Sequence, residues 1–333
     1  MNSRSIFRWI ALPFLLVIIF IANLSIGSVA IPVKEILSIL SGGEASDPIW
    51  KTILIDFRIP KALTCVLAGS ALSISGLQMQ TLFRNALAGP DVLGITSGAS
   101  LAVSLAFMGN PTGLNNPWGV TISASFGATA VFLVMLLISR NLRDNVSLLI
   151  VGLMIGAATS SLISVLQYSS GAEEVQTYLI WTFGSLGSLN WSELQTLTIM
   201  LLLGSGIAVV QSKSLNAWFL GENYAKSLGV NITSSRLWII LSACLLTGAV
   251  TAFCGPLAFI GLAVPHIVKM FLKSHDHRVL IPIVMTSGAA VLLLCDVFTK
   301  IPGSGKVLPI NSVTALIGAP VVIWVILKHR IAD

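Results

Sequence analysis

"VSLLIVGLMIGAATSSLISVLQY", Val146 to Tyr168, runs for twenty-three residues without one charged side chain. An α-helix needs about 20 apolar residues to cross a hydrocarbon core of about 30 Å. Comparable runs lie at roughly 10–30, 62–82, 92–109, 117–139, 192–212, 236–254, 256–273, 279–299 and 310–328, so ten spans are expected. Composition agrees: of 333 residues 55% are hydrophobic and 10% charged, with a mean hydropathy of +0.92, against roughly 25% charged in a soluble domain. Inside lipid each backbone polar group must be satisfied within the protein, which admits helices or closed barrels. The alternating pattern of a barrel strand is absent. The fold class is therefore an all-α polytopic membrane protein, and residues 1–333 read as a single transmembrane domain with no soluble one.

The opening segment has the basic start, apolar middle and small-x-small ending (Ser28, Ala30) of a signal peptide. Its apolar run is as long as the later spans, so an uncleaved first span is expected. The positive-inside rule sets orientation. With both termini inside, thirteen Lys and Arg fall on the cytoplasmic side (Arg4, Arg8, Arg84, Arg140, Arg143, Lys213, Lys226, Arg236, Lys269, Lys273, Arg278, Lys328, Arg330). Six fall outside: Lys34, Lys51, Arg58, Lys61, Lys300 and Lys306. That imbalance supports an even number of spans. The net charge of +6 follows from it and carries no nucleic-acid reading.

Several motifs bear on packing or invite chemistry. Gly94 and Gly98 in "GITSG", and Gly152 and Gly156 in "GLMIG", are GxxxG pairs that let helix backbones approach closely. Thr159, Ser160, Ser161 and Ser164 either line a hydrated path or bond back to their own helix. "YLIWTFGSL", Tyr178 to Leu186, is too short to cross and reads as a re-entrant or interfacial helix. The eighth span is the weakest, interrupted by Pro256, Pro265, His266 and Lys269 and separated from the seventh only by Gly255 and Pro256. "PGSGKV" (Pro302 to Val307) fails as a phosphate loop, because Lys300 stands where the first glycine belongs and Val307 follows the lysine. "SHDH" (Ser274 to His277) reads as a solvated turn, so no metal site is assigned. Cys65, Cys244, Cys254 and Cys295 lack metal-site spacing and read as buried thiols. No nucleophile–base or paired-carboxylate arrangement stands out, which argues against a membrane enzyme.

"NAWFLGENYAKSLGVN", Asn216 to Asn231, is a polar island in this apolar chain. Leu220, Tyr224 and Leu228 recur at i, i+4, i+8, an apolar stripe with Glu222 and Lys226 elsewhere on the helix. Gly229 is a natural C′ stop. Such an amphipathic helix is too short and too weakly basic for a lipid anchor, and docking to a cytoplasmic partner is expected.

Three long motifs, "RIPKALTCVLAGSALSISGLQMQTLFRNALAGPDVLGITSGA" (Arg58 to Ala99), "CGPLAFIGLAVPHIVKM" (Cys254 to Met270) and "LPINSVTALIGAPVVIWVIL" (Leu308 to Leu327), closely resemble the FecCD family. Its members are permease subunits of type II ABC importers for iron chelates, haem and vitamin B12. The resemblance spans essentially the whole chain and implies ten helices and a dimer, of identical or of two similar chains, in the cytoplasmic (inner) membrane. It further implies two ATPase subunits and one extracytoplasmic substrate-binding protein, within surrounding membrane lipid. ATP and Mg would be bound by the ATPase, leaving this chain without a cofactor and not itself an enzyme.

The family's "GE..A..LG" matches Gly221, Glu222, Ala225, Leu228 and Gly229, which implies ATPase coupling for the segment from about 214 to 231. Arg58, Lys61 and Lys300 match basic positions that receive acidic side chains of the binding protein. The implied cytoplasmic gate lies in the "NALA" turn, at Asn85 and Leu87 with Ala86 in place of the family's Pro, and near Asn145 and Val146. The fifth span, with Thr159, Ser160 and Ser164, would line a pathway on the dimer axis. His266 sits where the family has its His and reads as structural. Asp296, four residues before Lys300, makes a favourable helical pair with it. The expected cargo is an iron(III) siderophore or other iron chelate, with haem and cobalamin as alternatives. An ion-gradient-driven secondary transporter is the competing class, and it would carry ionisable residues near the midplane of broken helices.

Overall fold

A computed structural model describes residues 3–27, 29–43, 45–109, 117–142, 145–272, 274–300 and 307–331. In chain order the α-helices are α1 (Ser3–Ser25), α2 (Val33–Leu40), α3 (Pro48–Thr52), α4 (Ile59–Leu82), α5 (Ile95–Ser104), α6 (Pro117–Asn141), α7 (Asn145–Ser169) and α8 (Ala172–Thr182). They continue as α9 (Trp191–Val210), α10 (Ser212–Leu220), α11 (Glu222–Ser227), α12 (Ile232–Cys254), α13 (Ile260–Leu272), α14 (His277–Thr299) and α15 (Ile310–Ile331). Among the described residues, six helices are long and apolar enough to cross a membrane: Pro48–Leu82, Trp118–Ser139, Asn145–Ser169, Trp191–Val210, Ile232–Cys254 and His277–Thr299. Four shorter apolar helices, Ala11–Ser25, Ile95–Gly109, Ile260–Leu272 and Ile310–Trp324, occupy the remaining apolar segments.

The core is built from α4, α12 and α14. α14 packs along α4, α12 packs on α4, α6 and α9, α1 lies against α14, and α13 wedges between α4 and α14. α4 is deeply buried: 83% of the residues in an apolar 18-residue stretch of the Pro48–Leu82 span are buried, against only 22% in the corresponding stretch of α7. α7 is therefore peripheral and presents most of its surface outward. Close approach depends on small residues. Gly69 of α4 meets Gly288 of α14 backbone to backbone, and a Cβ at either would collide with the other's carbonyl. The two GxxxG pairs meet each other: Gly152 packs on Val92 and lies near Gly94, while Gly98 packs on Gly127 of α6. Polar side chains then tie helices in place. Gln78 donates to Ser242 Oγ at 2.9 Å, Ser242 to Gly204 O at 2.7 Å, and Ser75 shares a hydrogen bond with Thr247 at 2.8 Å.

Four sequence expectations change. The second span is not confined to 62–82: α3 runs into a π-helical segment, Ile53–Arg58, and then into α4 without a break. The seventh and eighth spans are separated by residues 255–259, not by two residues, because Gly255 (φ 75°) and Phe259 (φ 68°) both leave the right-handed region. The Asn311 side chain closes that break, accepting from Ala258 N at 3.1 Å and donating to Thr182 O at 3.4 Å. The short piece after Tyr168 is an 11-residue helix that starts earlier than read, at Ala172. The stripe Leu220, Tyr224, Leu228 is carried by two helices, α10 and α11, which break at Gly221. Residues 302–306 of the "PGSGKV" motif lie outside the described residues. All four cysteines are buried and free.

Candidate functional site

The joint at Gly221 exists because its backbone, φ 113° and ψ 154°, is open only to glycine. α11 then ends in a Schellman arrangement: Gly229 (φ 80°) turns left-handed, Val230 N donates to Ala225 O at 3.1 Å and Gly229 N to Lys226 O at 3.0 Å. Asn231 caps the start of α12, accepting from Ser234 N at 3.0 Å. Ala225 and Trp218 are fully buried and anchor the segment, whereas Leu220, Tyr224 and Leu228 are 55%, 52% and 58% exposed. Large apolar side chains held outward on a pinned frame form a surface suited to docking.

Glu222 does not stand free on that surface. Its carboxylate accepts from Arg236 Nη2 at 3.1 and 3.3 Å, and Arg236 Nη1 donates to Leu142 O at 3.0 Å. The guanidinium lies 5.7 Å from the ring centre of Trp218, whose Nε1 donates to Ser235 Oγ at 3.0 Å. Arg236 thus joins α11, α12 and the end of α6 through one buried cation. Sequence reading placed Arg236 only in a charge count, because a partner fourteen residues away follows no helical spacing.

At the same end, Asn85 closes an Asx turn, accepting from Leu87 N at 2.9 Å, which holds the turn without a proline at Ala86. Asn145 Nδ2 donates to Leu82 O at 2.8 Å and fixes the start of α7 to the end of α4. Asn85, Leu87, Asn145 and Val146 are thereby held around one junction, with Leu87 44% and Val146 66% exposed. Of the three hydroxyls assigned to a pathway, Thr159 is buried and donates back to Ile155 O and Gly156 O at 2.9 Å. It does not share the outward face of Ser160 and Ser164, which are exposed, Ser164 donating to Ser160 O at 3.0 Å.

"SHDH" is a solvated turn only in part, with His275 and Asp276 exposed. His277 is buried, sharing hydrogen bonds with Thr81 Oγ1 and Asn216 Oδ1 at 2.8 Å each. Asp276 caps α14, accepting from Arg278 N at 3.0 Å and from Asn216 Nδ2 at 2.8 Å. The hydrogen bond from Asn216, then that from the Arg278 amide, hold its carboxyl below the usual range. Among the described residues no three His, Cys, Asp or Glu side chains gather at a metal site.

At the opposite end the predicted docking cations are drawn inward. Asp296, 1% exposed, pairs with Lys61 at 2.8 Å and Lys300 at 3.2 Å and accepts from Asn23 Nδ2 at 3.0 Å. Lys300 Nζ also reaches Ile26 O at 2.9 Å. The Arg58 guanidinium donates to the carbonyls of Leu24, Ser25 and Val29. The three cations come together, as parts of a knot joining α1, α4 and α14. In the six long helices the buried ionisable side chains, Glu193, Arg236, His277 and Asp296, all stand near a helix end.

The FecCD transport family matches residues 15–328 of this chain. The hemin transport system permease protein HmuU of Yersinia pestis is 33% identical over 320 residues, covering 95% of this chain and 94% of that protein. The vitamin B12 import system permease protein BtuC of Klebsiella pneumoniae is 33% identical over 331 residues, covering 99% and 96%. An inward-facing metal-chelate type ABC transporter superposes with a TM-score of 0.84 at 31% identity, covering 96% of this chain and 98% of its own. PsaBC from Streptococcus pneumoniae shares the fold alone, at a TM-score of 0.55 and 16% identity. The residues matched by the family run from within α1 to within α15, a range that includes Asn85, Gly221 and Asp296. This chain belongs to the FecCD transport family.

Proposed function

We propose that this chain is the membrane permease of an ATP-driven importer of an iron chelate of the siderophore type, working as a dimer in the cytoplasmic membrane. The observation that carries the reading is the pinned segment from Leu220 to Gly229, with its three apolar side chains exposed around a glycine joint. Two ATPase subunits holding ATP and Mg would seat there, on the basic end that the positive-inside rule makes cytoplasmic. Closure of the ATPases would move α10 and α11 about Gly221 and, through Arg236, the start of α12, shifting the population between inward- and outward-open states. The exposed face of α7, with Ser160 and Ser164, would meet a second permease and line the pathway, gated at Asn85, Leu87, Asn145 and Val146. A substrate-binding protein would dock on the opposite end, near Arg58, Lys61 and Lys300.

Haem or cobalamin is the second reading of the cargo, favoured by the names of the relatives above. A gradient-driven transporter is disfavoured by the placement of the buried ionisable groups of the long helices at helix ends. The test is capture of the tagged chain from its own membrane in mild detergent, with mass spectrometry of what accompanies it. An ABC ATPase should appear with the wild type and vanish with Leu228→Asp or Tyr224→Ala. Neither substitution touches a buried contact. Uptake of a labelled ferric siderophore, competed in turn with haem and cobalamin, assigns the cargo. Absence of any ATPase, together with uptake that survives ATP depletion and follows an ion gradient, would overturn the proposal.

A further inference from the structure

A cavity of about 610 Å³ opens between the end of α4, α13 and α10, at the basic end of the bundle. Arg84, Asn85 and Gln80 line it from the gate side, Lys269 from α13, and Phe219 and His275 from the coupling side. Among the described residues no carboxylate lines it. Lys269 is partly buried, and its Nζ donates to the neutral Gln80 Oε1 at 3.0 Å. Gln80 is turned for this contact, because its Nε2 donates to Leu262 O at 3.0 Å. Arg84, held at φ 48°, brings its guanidinium against the joint, where a Cβ on Gly221 would lie 3.4 Å away. Neither cation has an ion-pair partner among the described residues. The acids on adjoining elements are engaged elsewhere, Glu222 by Arg236 and Asp276 by Asn216 and the Arg278 amide. His275 stacks on Phe219 at 4.5 Å and closes one wall.

Two cations lining one cavity, one of them partly withdrawn from water and given only a neutral acceptor, make a site that lacks its counter-charge. The cavity is wider than one carboxylate side chain needs and falls within the range of about 300–1,000 Å³ typical of small-ligand sites. We infer that this cavity binds a phosphate-bearing anion, held by the planar fork of Arg84 and the ammonium of Lys269. A phosphate offers several oxygens to both donors, and charge-assisted bonds of this kind are the strong ones. Two sources share that chemistry. A free phosphate can enter from solvent, and an anionic lipid headgroup can enter from the leaflet in which the cavity lies. Because the walls are the gate turn on one side and the joint on the other, an occupant would brace the two against each other. The site stands on its own geometry and holds whether or not the importer reading does.

The test uses the full chain, purified and delipidated in detergent, with its thermal unfolding midpoint followed against inorganic phosphate, phosphatidylglycerol in mixed micelles, and phosphatidylcholine as control. A saturable rise with phosphatidylglycerol above phosphatidylcholine is expected, and Lys269→Gln and Arg84→Gln should each weaken its half-saturation by about tenfold or more. Arg84→Lys should retain part of the effect. A rise with inorganic phosphate as well assigns the site to free phosphate, and a rise with the lipid alone assigns it to the headgroup. Absence of a rise with either probe overturns the inference, as it would if an acidic side chain of a partner protein were the true occupant. An equal rise in the variants overturns it too. Arg84 is exposed at the rim, so its variants test the site even where Lys269→Gln fails to fold.

Discussion

Removing the carboxylate of Asp296 would leave the ammonium groups of Lys61 and Lys300 facing each other in a largely buried pocket, with Asn23 keeping only the Leu293 carbonyl as an acceptor for its amide. Breaking a buried ionic group from one side costs roughly 3–5 kcal/mol, and the partial exposure of both lysines puts the expected loss near the lower figure. Asp296→Asn should therefore lower the unfolding midpoint of the purified chain markedly, while Asp296→Leu combined with Lys61→Met and Lys300→Met should recover much of it. The knot also changes the docking experiment. Reversing Arg58 and Lys61 would break contacts within the chain, so lost uptake supports docking only when membrane levels hold, and unchanged uptake at normal levels counts against it. A second residue-scale expectation concerns acid. The carboxyl of Asp276 is held below the usual range, so what it adds by capping α14 and bonding Asn216 is fully present above the ordinary carboxylate range. It fades as pH falls through the lowered value. Unfolding measured against pH should show an acid-side loss that Asp276→Asn reduces. The Asp296–Lys300 pair was legible in the sequence because four-residue spacing puts both on one helical face. Lys61 and Asn23 were not, since Asn23 lies 273 residues away and only packing brings it near.

Helices with long uncharged runs, such as α7 and α12, are legible because lipid imposes both their length and their composition. What interrupts helices was harder to read. The π segment Ile53–Arg58 contains no glycine, and its only break signal is Pro60 just beyond it. The break at 255–259 relies on Phe259 at φ 68°, a conformation no phenylalanine announces, and on Asn311, fifty-three residues away. The helical segment within Asn216–Asn231 was legible in outline, through its polarity and Gly229. Its division into two helices was not, because Gly221 was read as part of a motif and not as a joint. That joint can be tested alone. Gly221→Ala would force a side chain into a backbone region that costs about 1–3 kcal/mol. Expected is a chain that still reaches the membrane and still binds its ATPase, but whose ATP hydrolysis drives little uptake. Full uptake in this variant would show that the segment moves without bending at Gly221.

At the scale of the whole molecule, length and hydropathy were enough to read an all-helical membrane protein. The order in which helices pack was not available from them. Nothing in the run Val146–Tyr168 distinguishes it from the buried α12, yet α7 is peripheral and α12 central. The difference lies in which neighbours offer grooves. Residues Gly69 and Gly288 lock α4 to α14, whereas α7 rests on the Val92–Leu93 turn through Gly152, on α5 near Gly156, and on α4 through an Asn145 hydrogen bond. The knot at Asp296 has a mechanical meaning here. It ties together the ends of α1, α4 and α14 that meet at Asp296, so an excursion of the subunit is expected between that block and the thinly attached α7. Spin labels on those ends of α4 and α14 should keep one sharp separation whether nucleotide is absent, bound or hydrolysed. A label at Tyr168, 95% exposed at the end of α7, paired with one on α14, should give a distribution that splits or shifts between those states.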